Sequence, residues 1–436
     1  GMQNSKVYGS LLVTADGVTI DGVTVNNEGD ATGNTEKCAA VYAYTDKITI
    51  KNCTFNANST LKEGLCNAVV LLPKSESPDY TITGNTFNGY QTELSGYSSS
   101  GLLISGGVSK DFLGMSGVSS VLAELTETQE LAIINGNTFK NCTNDYQRES
   151  WATGELKVYC KSISYGDNLL NAYAADTARY YIAGNITFST ERTLKAGSSL
   201  VIMEDKTLTV ADGGKLIISD GATLVVDGTL KGVSATFSST GNVGVAPDTA
   251  GDAAGKIFAE YGLKKDGSSI SLKAENVSYI IVKDDDAAGW TTLTPNTDDT
   301  LWFNVEADTG ERTFVVVTKE GVVYTATLDW ENEIEEANLV ATGREGIRPG
   351  TEDTYVEYEL VGSEGNVISL KVGVAKLFAS KGEDGKWKSH ELNTDTTLWF
   401  KADNETGDYE YFIVAEDGTM YKTTLVYEAP EESHEP

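Results

Sequence analysis

The chain has 436 residues, 40% of them hydrophobic and 44 of them glycine, which suits a folded, turn-rich protein of two to four domains. Its 33 Lys and Arg stand against 64 Asp and Glu, a net charge of −31 that repels phosphate backbones and anionic headgroups and so excludes nucleic acid as a partner. No apolar run approaches the roughly 18 residues of a membrane-spanning helix, so no membrane insertion is expected. The five cysteines all precede residue 161, the two histidines are His390 and His434, and no Cys-x-x-Cys pair occurs, which rules out an ordinary Cys/His zinc site. The opening Gly1-Met2 reads as a tag scar, so the lack of a signal peptide says little about location. Residues 429–436 read as a Pro/Glu linker tail.

From the start of the chain one phrase recurs: Val18-Thr-Ile-Asp-Gly-Val-Thr-Val25, Ile48-Thr-Ile-Lys-Asn-Cys-Thr-Phe55, Tyr80-Thr-Ile-Thr-Gly-Asn-Thr-Phe87, Ile133-Ile-Asn-Gly-Asn-Thr-Phe139 and Tyr181-Ile-Ala-Gly-Asn-Ile-Thr-Phe188. The steps from Ile20 to Ile50 and from Ile50 to Ile82 are 30 and 32 residues. A second set of strand-like runs, Ala39-Ala-Val-Tyr-Ala43, Asn67-Ala-Val-Val-Leu71 and Gly101-Leu-Leu-Ile-Ser105, alternates with the first. Each period therefore holds two or three short strands separated by tight corners, where Gly and Asn accept the left-handed backbone. Stacked coils would lie about 4.8 Å apart, with β-branched and apolar residues aligned inside.

This repeat resembles the right-handed parallel β-helix of the pectate-lyase-like superfamily over roughly residues 10–190, through repeat style and not through a catalytic signature. Two insertions interrupt it. The apolar spacing of Val118, Val121, Leu122 and Leu125 predicts a helix within 109–130, and residues 167–178 predict a second one capped by Asp167. From about residue 194 the period shortens, with Leu200, Leu208, Leu216 and Leu224 spaced by eight, one strand plus one Gly-containing corner each. The solenoid is expected to continue through these coils to residue 240.

After a Ser/Gly/Ala/Asp-rich linker at 241–254 the chain repeats itself with a pitch of 97. Thr300-Leu-Trp-Phe303 answers Thr397-Leu-Trp-Phe400, Thr309-Gly310 answers Thr406-Gly407, and Phe314-Val-Val-Val317 answers Tyr411-Phe-Ile-Val414. Alternating strands and Asp-Gly or Glu-Gly turns predict two small immunoglobulin-like β-sandwiches, at 255–332 and 351–428, joined by a linker at 333–350. The fold class is thus all-β: a parallel β-helix followed by two β-sandwich domains. Trp290, Trp302, Trp387 and Trp399 recur in both copies, which assigns them a shared core role.

The most site-like stretch is Asn144-Asp-Tyr-Gln-Arg-Glu-Ser-Trp151, read as a loop after a coil phrase. Tyr146 and Trp151 offer aromatic plates for sugar rings and Arg148 a forked donor, while Asp145 and Glu149 are the nearest pair for carboxylate catalysis. The resemblance implies polysaccharide as ligand, yet the Gly-His-Gly segment of polygalacturonases is missing, and Arg148, Arg179 and Arg192 match no lyase motif. Cys38 and Cys66 head equivalent strands, so they form either a bridge or a stack of thiols, and Cys53, Cys142 and Cys160 are assigned to the core. Asp284-Asp-Asp286 and Asp298-Asp299 read as solvated turns. No cofactor is expected and no metal site is assigned, calcium being the one ion left open. These features point to a monomeric extracellular or cell-surface protein, adhesin-like, that recognises glycans or surface proteins through the β-helix. The alternatives are a polysaccharide lyase or glycoside hydrolase with an atypical carboxylate site, and a structural spacer of a larger surface protein.

Overall fold

The computed structural model describes residues 11–27, 39–57, 67–90, 99–107, 119–150, 152–162, 170, 177–284, 289–307, 309–331, 333–347 and 352–429. Among the described residues strand accounts for 58% and helix for 4%, an all-β fold. The chain forms two compact units: residues 1–234 with 316–325, and residues 235–315 with 326–436.

The first unit is built on parallel strands stacked coil over coil. Ile20 lies over Ile50 and Ile50 over Ile82, while Val25, Phe55, Phe87 and Phe139 form a second row. The three phenyl rings stack at 5.4 and 5.1 Å, and Phe55 and Phe87 are fully buried. At the corner between these rows, Gly22, Asn52 and Gly84 hold positive φ. Just past this corner, Asn85 and, one coil on, Asn137 form the rungs of a ladder. The Asn85 side chain accepts from Cys53 N at 2.9 Å and donates to Ile50 O, and Asn137 Oδ1 in turn accepts from Asn85 N. These buried amides bridge three coils with their polar groups satisfied.

The largest sheet of this unit runs in the order 11–13, 39–44, 67–72, 100–106, 144–150, 156–160, 179–182, 199–202, 223–226. Every neighbour is parallel except one. Strand Asn144–Ser150 turns back into Leu156–Cys160 as an antiparallel hairpin, so all later strands run the opposite way. The buried face changes there too. Before the hairpin the core row is Val41, Val69, Leu102 and Tyr146; after it, the row through Val158, Tyr180, Leu200 and Leu224 is buried, while Tyr181 and Val201 are only half-buried. Strand direction and core side reverse together, so the sense of winding is the same on both sides of the hairpin. The later coils return every 24 residues, Leu200 over Leu224, with Leu208 and Leu216 on the two other sheets, as the eight-residue spacing implies.

Two local expectations change. Residues 120–126 are non-helical, and the helix spans Glu127–Asn135, started by a capping box in which Thr126 and Gln129 satisfy each other's backbone N–H. The segment 144–150 is a buried strand and not a loop. The predicted helix at 167–178 falls almost wholly outside the described residues, as do Cys38, Cys66 and Trp151.

In the second unit, the stretch read as a linker at 241–254 begins as strand and continues as a 3-10 helix at Asp248–Ala253, and the stretch at 333–350 is largely strand. Thr236–Val245 pairs with Ile257–Lys265, and Ile334–Ile347 pairs with Thr354–Gly362, each across a bulge. Phrase Thr240-Gly-Asn answers Thr342-Gly-Arg at a pitch of 102, because the first copy's connection to its next strand is five residues longer. Thr240 Oγ1 donates to Glu260 at 3.0 Å and Thr342 Oγ1 to Glu357 at 2.8 Å, the same contact in both copies. In the second sandwich, Ile334–Ile347 also pairs in parallel with Met420–Tyr427, so one strand serves both layers.

Candidate functional site

The capped helix of the solenoid places Glu130 inside the molecule, with no exposed surface. Alternate residues of the hairpin share that side of the sheet. Glu130 accepts from Arg148 Nε at 3.0 Å, Tyr146 Oη at 3.2 Å, Tyr159 Oη at 3.0 Å and Lys157 Nζ. Arg148 also donates to Ala123 O and Glu155. Burial and the adjacent Glu130 carboxylate push both tyrosine pKa values well up, so the phenols stay protonated donors. Tyr146 and Arg148 therefore spend their polar groups on an internal acidic hub.

Asp145 and Glu149 sit on the opposite face of the same strand. Four residues of extended chain separate their Cα atoms by about 13 Å, beyond the spans of about 5–5.5 or 6.5–9.5 Å that glycosidase carboxylates keep. Asp145 is buried. Desolvation raises its pKa to about 6 against the pull of backbone N–H groups from Lys161 and Ser162 on one oxygen. Its other oxygen has no hydrogen-bond partner among the described residues. Glu149 accepts from Ser105 at 3.0 Å and Gln147 at 2.7 Å. Cys53, Cys142 and Cys160 are free and buried, and burial raises their thiol pKa values. Among the described residues no group of acidic, Cys or His side chains could hold a metal; Asp284 pairs with Arg312 at 2.8 Å, and Asp299 with Ser271 and Lys273.

A groove of about 450 Å³ opens in the second sandwich, within the range of small-molecule clefts. Strands Ala375–Lys381, Leu398–Lys401 and Gly407–Ala415, with the turn after Trp387–Ser389, bring its lining together. Tyr355, Trp399 and Tyr409 contribute half-buried rings. Two are pinned at their polar ends: Trp399 Nε1 donates to Asp395 at 2.8 Å and Tyr409 Oη to Glu405 O at 2.9 Å. The ordering cost of these platforms is met before any ligand arrives. Polar groups flank them. Ser380 Oγ and His390 Nε2 lie 2.6 Å apart, and partial desolvation lowers the His390 pKa, which favours the neutral ring. Among the described residues no carboxylate bonds this ring, so the pair lacks the orienting acid of a serine-hydrolase triad.

The four recurrent tryptophans do not share one core role. Only Trp387 is buried, and its Nε1 donates to Glu306 of the first sandwich at 2.8 Å. Trp302 stacks on Phe258 at 4.3 Å, while its counterpart Trp399 lines the groove. Equivalent positions of the first copy replace the groove lining: Lys381 and Tyr409 become Asp284 and Arg312, which form the 2.8 Å ion pair, and His390 becomes Leu293. The sequence carried this signal in the differences between the copies, which a search for shared phrases passes over.

No family model matches the chain, and no curated protein does. Among solved structures it is similar to Tp47, the 47-kilodalton lipoprotein of Treponema pallidum, at 12% identity over 44% of this chain and 51% of that one, with a TM-score of 0.18. It is similar also to the fibronectin(III)-like modules of Clostridium thermocellum CbhA, at 14% identity over 42% of this chain and 92% of that one, with a TM-score of 0.14. A third is Bacteroides ovatus SGBP-B in complex with a mixed-linkage heptasaccharide, at 14% identity over 44% and 59% of the two chains, with a TM-score of 0.12. The chain spans about half the length of the first of these. Likeness this slight carries no functional argument.

Proposed function

We propose that the chain is a non-catalytic, extracellular or cell-surface protein that binds glycans, with the groove of the second sandwich as a contact site. The observation that carries this reading is the set of fixed aromatic rings bordered by forked polar groups. A sugar ring offers an apolar C–H face and a rim of hydroxyls, and it wants that combination. The solenoid supports this site poorly as an alternative, because Tyr146 and Arg148 are committed to Glu130. The acidic surface, with its net charge of −31, suits a protein kept soluble and monomeric in the open. A glycan array probed with the whole chain tests the proposal: bound glycans should be recovered intact, and Trp399→Ala should abolish capture. Release of new reducing ends from a bound polysaccharide would establish the lyase or hydrolase alternative instead.

A further inference from the structure

We infer that the groove selects uncharged oligosaccharides and rejects polyanionic ones such as uronates and sulfated glycans, an inference that rests on the glycan-binding reading and narrows it. Charge sets the selection. The groove's two cations are already matched: Lys381 pairs with Glu410 at 3.3 Å, and Lys401 with Asp403 at 3.1 Å and Asp353 at 3.5 Å. Glu410 has a second partner in Lys422 at 3.3 Å. Glu391 also lines the groove and makes no hydrogen bond or ion pair among the described residues, so its carboxylate can accept from hydroxyls and would repel an anionic substituent. An acidic ligand would have to break existing ion pairs and approach a chain of net charge −31, whereas a neutral one exchanges only water and hydroxyl contacts.

The duplicated fold supplies an internal control. Both copies need the same packing, yet the first places the Asp284–Arg312 ion pair at the equivalent position and carries Thr313 where the second has Glu410. The backbone thus accommodates that trio in place of the groove lining. Lys381→Asp, Tyr409→Arg and Glu410→Thr together transplant it into the second sandwich.

Affinity electrophoresis and titration calorimetry of the whole chain would use a neutral β-glucan, xylan and galactomannan beside polygalacturonate, alginate and chondroitin sulfate. Neutral polymer alone should bind, with affinity unchanged within about twofold between about 50 and 500 mM salt, since no counterions are released. Trp399→Ala and the transplant should each weaken binding about tenfold or more, the loss of a stacking platform, with circular dichroism unchanged. Preferential binding of a polyanion, or steep loss of affinity with salt, would overturn the inference while leaving glycan binding in place. Neutral binding untouched by both variants would also overturn it, because the site would lie elsewhere. Failure to bind either class would remove the glycan-binding reading itself.

Discussion

Replacing Glu130 with Ala should open the hairpin of the solenoid. Among the described residues the carboxylate is the sole hydrogen-bond acceptor of Lys157 Nζ, Tyr146 Oη and Tyr159 Oη, and one of three for the Arg148 guanidinium. Arg148 keeps Ala123 and Glu155, so its loss is partly covered; the other three donors are left desolvated. Removing one partner from a buried charged cluster costs about 3–5 kcal/mol, and the remaining Arg148 contacts favour the lower end. Hydrogen exchange read on peptides spanning 144–150 and 156–160 is the suitable assay, because a two-unit chain need not melt in one transition. A loss of about 3 kcal/mol speeds exchange there by roughly two orders of magnitude. Glu127→Ala, on the exposed side of the same helix, should change little. Glu130→Leu with Arg148→Met, Lys157→Met, Tyr146→Phe and Tyr159→Phe should recover most of the protection, since an apolar replacement of the whole cluster leaves no orphaned charge or hydroxyl. Exchange within about threefold of wild type in Glu130→Ala would refute the hub.

Asp145 titrates with a folded pKa of about 6 against an ordinary 3.8, so the folded state binds the extra proton and stability falls as pH rises through that window. The fall is about 3 kcal/mol; Asp145→Asn should flatten the pH 4–6 part of the stability profile relative to wild type, and parallel profiles would refute the assignment. Phe87→Ala, in the middle of the phenyl stack, should cost about 3–5 kcal/mol in denaturant-monitored unfolding of the solenoid. Gly232 holds φ +87°, and a Cβ there would lie 1.7 Å from Val210 O; Gly232→Ala should therefore lower the thermal midpoint of the last coils sharply, and a tolerated substitution would contradict the described corner.

Legibility followed periodicity. Parallel stacking sets like over like, so Ile20, Ile50 and Ile82, and later Leu200 and Leu224, announce coils directly in sequence. Sandwich strands were legible through the pitch of 97. The hairpin was not, because Asn144–Ser150 has a single apolar residue, Tyr146, and only partners distant in sequence make its polar face inward. Likewise, helical spacing from Val118 to Leu125 outweighed the true start signal at Thr126 and Gln129. The strands taken for linkers are poor in apolar residues and slipped by five residues between copies, which hid their kinship. The groove was invisible for a different reason: it lies where the copies disagree.

The polar hub and the change of buried face have one cause. A sheet that swaps its core side must pass through strands whose two faces are both enclosed, and on Asn144–Ser150 both are: Tyr146 and Arg148 on one, Asp145 and Gln147 on the other. An all-apolar strand there would carry no information about which side belongs to which core, and a one-residue slip of register would exchange the two faces. Charged partners remove that ambiguity. Arg148 and Lys157 lie opposite each other in the hairpin and meet Glu130 from one face only, so a slipped register would bury two cations against the wrong core. On this argument the cluster that looks most like an active site in the sequence is a register lock, and the proposed glycan contact lies instead in the sandwich, where aromatic and polar side chains meet solvent.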